Sequence, residues 1–156
     1  MGFSDSDWRG DKSDRRSTTG YLFKLFDAPT SWCSKKQPVV ALSSCEAEYI
    51  VGAFVACQAI WIDSLVKEIQ VEPQKLVQIL IDNKSAINLA KNPISHGRSK
   101  HIETRFHFLR DKVSKDLIEV VHYPTEVQVV DVLTKSVRVE RFVHLRMDLG
   151  VVELLD

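Results

Sequence analysis

Four carboxylates in this chain stand where they could do chemistry. Asp5 closes the short run Gly2-Phe3-Ser4, with Asp7 two residues on, and Asp82 directly follows Ile79-Leu80-Ile81. Glu46 and Glu48 fall in the first turns of a long amphipathic stretch, and Asp131 lies among the apolar residues of Gln128-Val-Val-Asp-Val-Leu-Thr134. An aspartate that ends a buried strand occupies the place where open α/β sheets build their sites, outside the carboxyl ends of central strands. Oxygen-only donors suit Mg2+, and Mn2+ as a second choice. Two such ions about 3.5–4 Å apart can hydrolyse a phosphodiester, one activating water and the other stabilising the leaving oxygen. Four acidic residues taken alone are more often solvated than convergent, so the weight rests on what surrounds them. Glu46 and Glu48 compete for one role, because two residues along a helix turn the side chain through about 200° and only one can face the others.

Groups able to hold a phosphate backbone lie close by in sequence. Lys35, Lys36 and Gln37 precede the long helix, and Arg98, Lys100 and His101 open a basic segment. Between His96 and Lys115 the chain carries Arg98, Lys100, Arg105, Arg110, Lys112 and Lys115 against Glu103 and Asp111. Such cations bind phosphates without reading bases. The alternative for each is a solvated face. His101 and His107 fall on different faces of a helix, so the histidines His96, His101 and His107 do not form a zinc site. Cys33, Cys45 and Cys57 form no CxxC pair, which argues against a zinc site or a disulfide framework.

These groups need a scaffold, and 156 residues with 44% hydrophobic content suffice for one domain spanning 1–156. The 21 basic and 21 acidic residues cancel, so overall charge does not favour a nucleic acid and only the local basic stripe does. Uninterrupted apolar runs such as Ile79-Leu80-Ile81 are far shorter than the roughly 20 residues that span a bilayer. The charged start Met1-Gly-Phe-Ser-Asp5 is unlike a signal peptide. With unpaired cysteines suited to a reducing compartment, the expectation is a cytoplasmic, monomeric protein without a membrane.

The elements read in order as follows. Gly20–Phe26 is a strand ended by the Asp27-Ala-Pro29 turn, and Thr30–Ser34 with Val39–Leu42 forms a strand interrupted at Lys35–Pro38. Ser43-Ser44 caps a helix whose apolar residues Tyr49, Ala53, Cys57, Ile60, Trp61, Leu65 and Ile69 recur at three and four. Leu76–Ile81 is a buried strand, Ser85–Ala90 a short helix stopped at Asn92-Pro93, and Lys100–Lys115 a second long helix. Leu117–Tyr123 is a strand and Glu126 onward is helix. This alternation predicts an α/β layered domain with a mixed sheet.

Seven ordered segments add a resemblance. They are Phe3-Ser-Asp-Ser-Asp-Trp-Arg-Gly-Asp11, Arg15-Arg-Ser-Thr-Thr-Gly-Tyr21, Ser31-Trp-Cys-Ser-Lys-Lys-Gln37 and Ala41-Leu-Ser-Ser-Cys-Glu-Ala-Glu-Tyr49, then Ile81-Asp-Asn-Lys-Ser-Ala-Ile87, Arg98-Ser-Lys-His-Ile-Glu-Thr-Arg-Phe-His107 and Gln128-Val-Val-Asp-Val-Leu-Thr-Lys135. Together they resemble the ribonuclease H domain of copia-type (Pseudoviridae) retrotransposon Pol polyproteins, plant copies most of all. The resemblance implies a ribonuclease H-like fold, a five-stranded mixed sheet with helices on both faces. It implies metal-dependent cleavage of the RNA strand of an RNA–DNA hybrid during reverse transcription, beside a reverse transcriptase domain of the same polyprotein. Asp5, Glu48, Asp82 and Asp131 would be the catalytic metal ligands of a two-metal site, with Glu48 favoured over Glu46 and Gly52 leaving room beside it. His122 is a candidate for an accessory histidine of the family, the alternative being a histidine on the strand surface. The chain departs from the pattern at Arg9, Val130 and Ser136, and its start four residues before Asp5 implies a short first strand. Two further readings are a hybrid- or protein-binding module that cleaves poorly, and another metal-dependent phosphohydrolase. Neutralising Asp131 is expected to leave stability unchanged or higher by relieving repulsion.

Overall fold

The computed structural model describes residues 1–70, 76–92 and 104–151. Five strands, β1 (Gly2–Asp7), β2 (Thr18–Leu25), β3 (Ala28–Lys36), β4 (Val77–Ile81) and β5 (Ile118–His122), form one sheet in the order β3-β2-β1-β4-β5. β1 runs antiparallel to β2 and parallel to β4, β4 is parallel to β5, and β2 and β3 are antiparallel. The helices are α1 (Ser44–Glu68), α2 (Lys84–Lys91), α3 (Phe108–Ser114), α4 (Asp131–Thr134) and α5 (Val139–Asp148). The expected architecture is therefore present: a five-stranded mixed sheet of the ribonuclease H-like kind, with helical elements on both faces.

Alternation along the strands builds the two faces, since successive side chains of a strand point to opposite sides. Ile79 and Ile81 of β4 and Ile118 and Val120 of β5 join the larger core, beneath α1, α2 and α3. Leu80 between them joins Phe3, Leu22, Val129 and Val130 in a smaller core on the other face, with Leu133 of α4 against it. Buried on both sides, the end of β4 reads as the continuous apolar run seen in sequence.

α1 starts where its cap dictates. The Ser43 hydroxyl accepts the Glu46 amide at 3.1 Å, satisfying one of the amides left over at a helix start. The helix is long and apolar enough to cross a membrane by length and composition alone. Its fully buried side chains Ile50, Val51 and Val55 belong to the larger core, as expected of a core helix.

Three expected elements differ. β3 runs unbroken to Lys36, and Val39–Leu42 is not a strand. Its backbone is satisfied by side chains instead of a ladder: Trp8 Nε1 donates to the Ala41 carbonyl at 3.1 Å, and the Glu46 carboxylate accepts the Leu42 amide at 2.8 Å. The segment from Glu126 is not one helix. A 3-10 turn at Thr125–Val127 leads to Gln128, whose buried amide donates to the Ser4 carbonyl at 2.9 Å and ties the chain to β1. Helix resumes only as the single turn α4, and again as α5. A 3-10 turn at Thr104–His107 precedes α3, which is shorter than the helix expected over 100–115. The first part of that helix falls outside the described residues.

Candidate metal centre

β1 and β4 are parallel neighbours at the middle of the sheet, so their carboxyl ends lie side by side. Asp5, on β1, is 2% exposed, and its Oδ2 accepts the Thr134 hydroxyl of α4. Asp82 follows the last residue of β4, and its Oδ2 accepts the Thr125 hydroxyl at 3.0 Å. Glu48 enters from α1. Its Oε1 accepts the Ser6 amide of β1 at 2.7 Å, while its Oε2 is buried without a hydrogen-bond partner. Ligand atoms of Asp5, Glu48 and Asp82 lie within 4.8 Å of one another.

Three carboxylates this close repel one another. Burial first, then the charges of Asp5 and Asp82, push the Glu48 carboxyl well above the usual range, against the Ser6 amide and Lys135. Burial also raises Asp82, where Thr125 works against it and Asp5 with it. A buried oxygen lacking a donor, in a group of oxygens that disfavour each other's charge, suits a divalent cation of the Mg2+ or Mn2+ kind. Asp5, Glu48 and Asp82 are the residues that would hold it.

Asp131 was expected as a fourth member and is held differently. It opens α4, 2% exposed, near enough to Asp5 for repulsion to raise its carboxyl alongside the larger effect of burial. Its Oδ1 lies 2.8 Å from Lys135 Nζ, and its Oδ2 accepts a guanidinium N–H of Arg141 on α5. Lys135 also lies 3.6 Å from Asp5 Oδ2. The sequence reading gave neither cation a role. Lys135 carried a usable signal, the i,i+4 spacing from Asp131. Arg141, ten residues on, carried none.

Glu46 is absent from the group. Its carboxylate accepts the Leu42 amide and closes the loop before α1. The space that Gly52 leaves is taken by Leu109, since a Cβ there would meet Leu109 Cδ2 at 2.6 Å; its bareness admits α3 against α1. Gly20 is the glycine that serves the centre. It pairs with Asp5, and a Cβ on it would meet Thr134 Cγ2 at 2.5 Å and Val130 Cγ1 at 2.9 Å, so its bareness lets α4 lie on β2.

The phosphate-binding candidates separate. Lys35 is exposed on edge strand β3 opposite Thr19. Lys36 pairs with Asp11 and, at 3.1 Å, with Asp14, and these hydrogen bonds raise its ammonium pKa. Both lysines line a groove of about 750 Å³ between β3 and α1, with Arg16, Tyr21, Phe54 and Trp61. Gln37 corrects the expectation of a surface contact. It is fully buried, and its amide donates to the Ala47 carbonyl at 3.0 Å and reaches Ser6 and Thr19 at 3.3 Å, bracing α1 to β1 and β2. Arg98, Lys100 and His101 lie outside the described residues. His122 is exposed at the end of β5, paired with Ile81, the residue before Asp82.

No protein-family model matches the chain. Curated relatives do. The retrovirus-related Pol polyprotein from transposon RE1 of Arabidopsis thaliana is 41% identical over 149 residues, 96% of this chain and 10% of the relative. The chain is homologous to one segment of plant-transposon Pol polyproteins. The polyprotein from transposon RE2 of the same plant is 40% identical over 97% of the chain, and that from TNT 1-94 of Nicotiana tabacum 38% over 90%. In each case this chain spans about a tenth of the relative's length.

Proposed function

We propose that this chain is the ribonuclease H unit of such a polyprotein, a metal-dependent endonuclease that hydrolyses the RNA strand of RNA–DNA hybrids. The observation that carries the reading is the convergence of Asp5, Glu48 and Asp82 from three elements onto one point at the carboxyl ends of β1 and β4. Glu48 Oε2 is left there buried and without a donor. Asp5, Glu48 and Asp82 would hold a divalent ion there, which would supply activation of water and stabilisation of the leaving oxygen. The chain's own residues prepare that place. Ser6 and Thr125 aim two of the carboxylates, Thr134 aims the third, and Asp131 stands beside Asp5 as the remaining acidic group. The seven ordered motifs supply the substrate class, and Lys35 on the groove side is the described candidate for backbone phosphates. The reverse transcriptase domain of the same polyprotein is the proposed neighbour in the full protein, and the cytoplasm its proposed place of work.

One observation favours the second reading, a binding module that cleaves poorly: both oxygens of Asp131 are occupied by cations. A labelled hybrid incubated with Mg2+ separates the two. RNA cleavage that EDTA abolishes, with single-stranded RNA and duplex DNA left intact, supports the nuclease. Binding without cleavage supports the module, and turnover of small phosphate esters alone supports another phosphohydrolase.

A further inference from the structure

The cations inside the carboxylate centre point to how many ions it takes. Lys135 Nζ sits between carboxylates of two elements, 2.8 Å from Asp131 Oδ1 and 3.6 Å from Asp5 Oδ2. Its side chain is 33% exposed while those of Asp5 and Asp131 are 2% and 3%, so it lies on the solvent side of both. The preceding residue, Thr134, donates its hydroxyl to Asp5, so two consecutive residues are directed at that carboxylate. Arg141 occupies the other oxygen of Asp131 and is itself fixed by donating to the Thr125 carbonyl at 2.8 Å. The other end of the cluster is the opposite case. Glu48 Oε2 has no hydrogen-bond partner, and no cation lies on it among the described residues.

We propose that Lys135 is a tethered cation that takes the place of a second metal ion, so that the centre holds one divalent ion, on Asp5, Glu48 and Asp82. The inference rests on the metal-binding reading of the preceding section and sharpens it, since two ions were expected from the resemblance. Its physical basis is charge and place. Four carboxylates against Lys135 and Arg141 leave two negative charges, which one divalent ion balances. An ammonium held between Asp131 and Asp5 stands where an ion bridging those two carboxylates would stand. Lys135 acts here as a positioning residue: it keeps Asp131 and Asp5 together and keeps the bridging place filled.

Counting bound Mn2+ by the electron paramagnetic resonance of the free ion tests this on the whole chain, without reference to activity. The wild-type protein is expected to bind one ion. Lys135→Met, which keeps the length of the side chain and removes its charge, is expected to bind two, or to bind the first at least tenfold more tightly. Lys135→Arg is expected to keep one, and circular dichroism on each variant confirms that it folds. Two ions in the wild type, or one ion of unchanged affinity in folded Lys135→Met, would overturn the inference while leaving the metal centre standing. No ion in either protein would overturn both. If Lys135→Met does not fold, Lys135→Gln serves in its place with the same two outcomes.

Discussion

At the scale of residues, environment rather than type separates one carboxylate from another. Glu46 and Glu48 have the same chemistry and are two positions apart, yet one closes a loop and the other is buried among acids. On the proposed function, Asp5→Asn, Glu48→Gln and Asp82→Asn each lower hybrid cleavage about a hundredfold or more, because several kcal/mol of transition-state stabilisation are lost; single-turnover assays on folded variants check this. The raised Glu48 also sets a pH dependence in metal-free protein. Above its ordinary value of 4.5 the unfolded chain ionises while the folded protein stays protonated, so the native state binds more protons and stability falls as pH rises toward the folded value. Asp82 and Asp131 act with the same sign. Melting curves in EDTA from about pH 4.5 upward should show Tm falling in the wild type, with a flatter slope in Glu48→Gln. For Asp131 the expectation is unchanged: burial first, and the charge of Asp5 with it, hold its carboxyl above the ordinary range even with Lys135 and Arg141 beside it, so its charge costs the metal-free fold more than the ion pairs return. Asp131→Asn should leave Tm in EDTA near neutral pH unchanged or higher. A Tm clearly below wild type would show that the two ion pairs outweigh burial and repulsion.

At the scale of elements, the centre depends on how closely a single helical turn approaches the sheet. α4 holds only Asp131–Thr134, too short to be stable by itself. It is seated by Val130 and Leu133 in the smaller core and by the Thr134 hydroxyl on Asp5. The bare Gly20 opposite Asp5 is what permits this. Gly20→Ala places a methyl group against Thr134 and Val130, and overpacking of this kind costs about 1–3 kcal/mol. For a chain of this size that lowers Tm by roughly 2–12 °C. Cleavage should fall further than the loss of folded protein accounts for, because Thr134 moves off Asp5. Equal losses in the two measurements would mean that Gly20 serves packing alone.

At the scale of the whole molecule, zero net charge coexists with basic groups gathered on one side of the α1–β3 groove. Binding of a hybrid should therefore depend on salt through few phosphates. Lys35→Ala should lower the log–log salt slope by about one, while Gln37→Ala should lower Tm and leave the slope unchanged, because Gln37 is internal. A reduced slope in Gln37→Ala would return that residue to the surface contacts. The two-sided burial that holds α1 above the sheet and α4 below it brings together groups 129 residues apart, as the Thr134–Asp5 hydrogen bond shows.

Much of this was legible in the chain itself. The sheet was readable because strand alternation and the apolar run before Asp82 report burial directly, and α1 was readable from its three-four periodicity and the Ser43 cap. The seven ordered motifs named the carboxylates, because their flanking residues are the strands and helices that carry them. What the sequence left open depends on contacts between distant segments. A rotation of about 200° on α1 distinguishes Glu48 from Glu46 only once β1 lies beside that helix. Lys35, Lys36 and Gln37 read as one polar set, yet Lys36 reached Asp11 while Gln37 entered the core, where Ala47, Ser6 and Thr19 accept from its amide. The helix expected from Glu126 broke because the buried Gln128 amide, bound to the Ser4 carbonyl, outweighs local propensity. Lys135 and Arg141 became part of the centre for the same reason. Charge is written in the sequence, but which charges share a site is decided by packing.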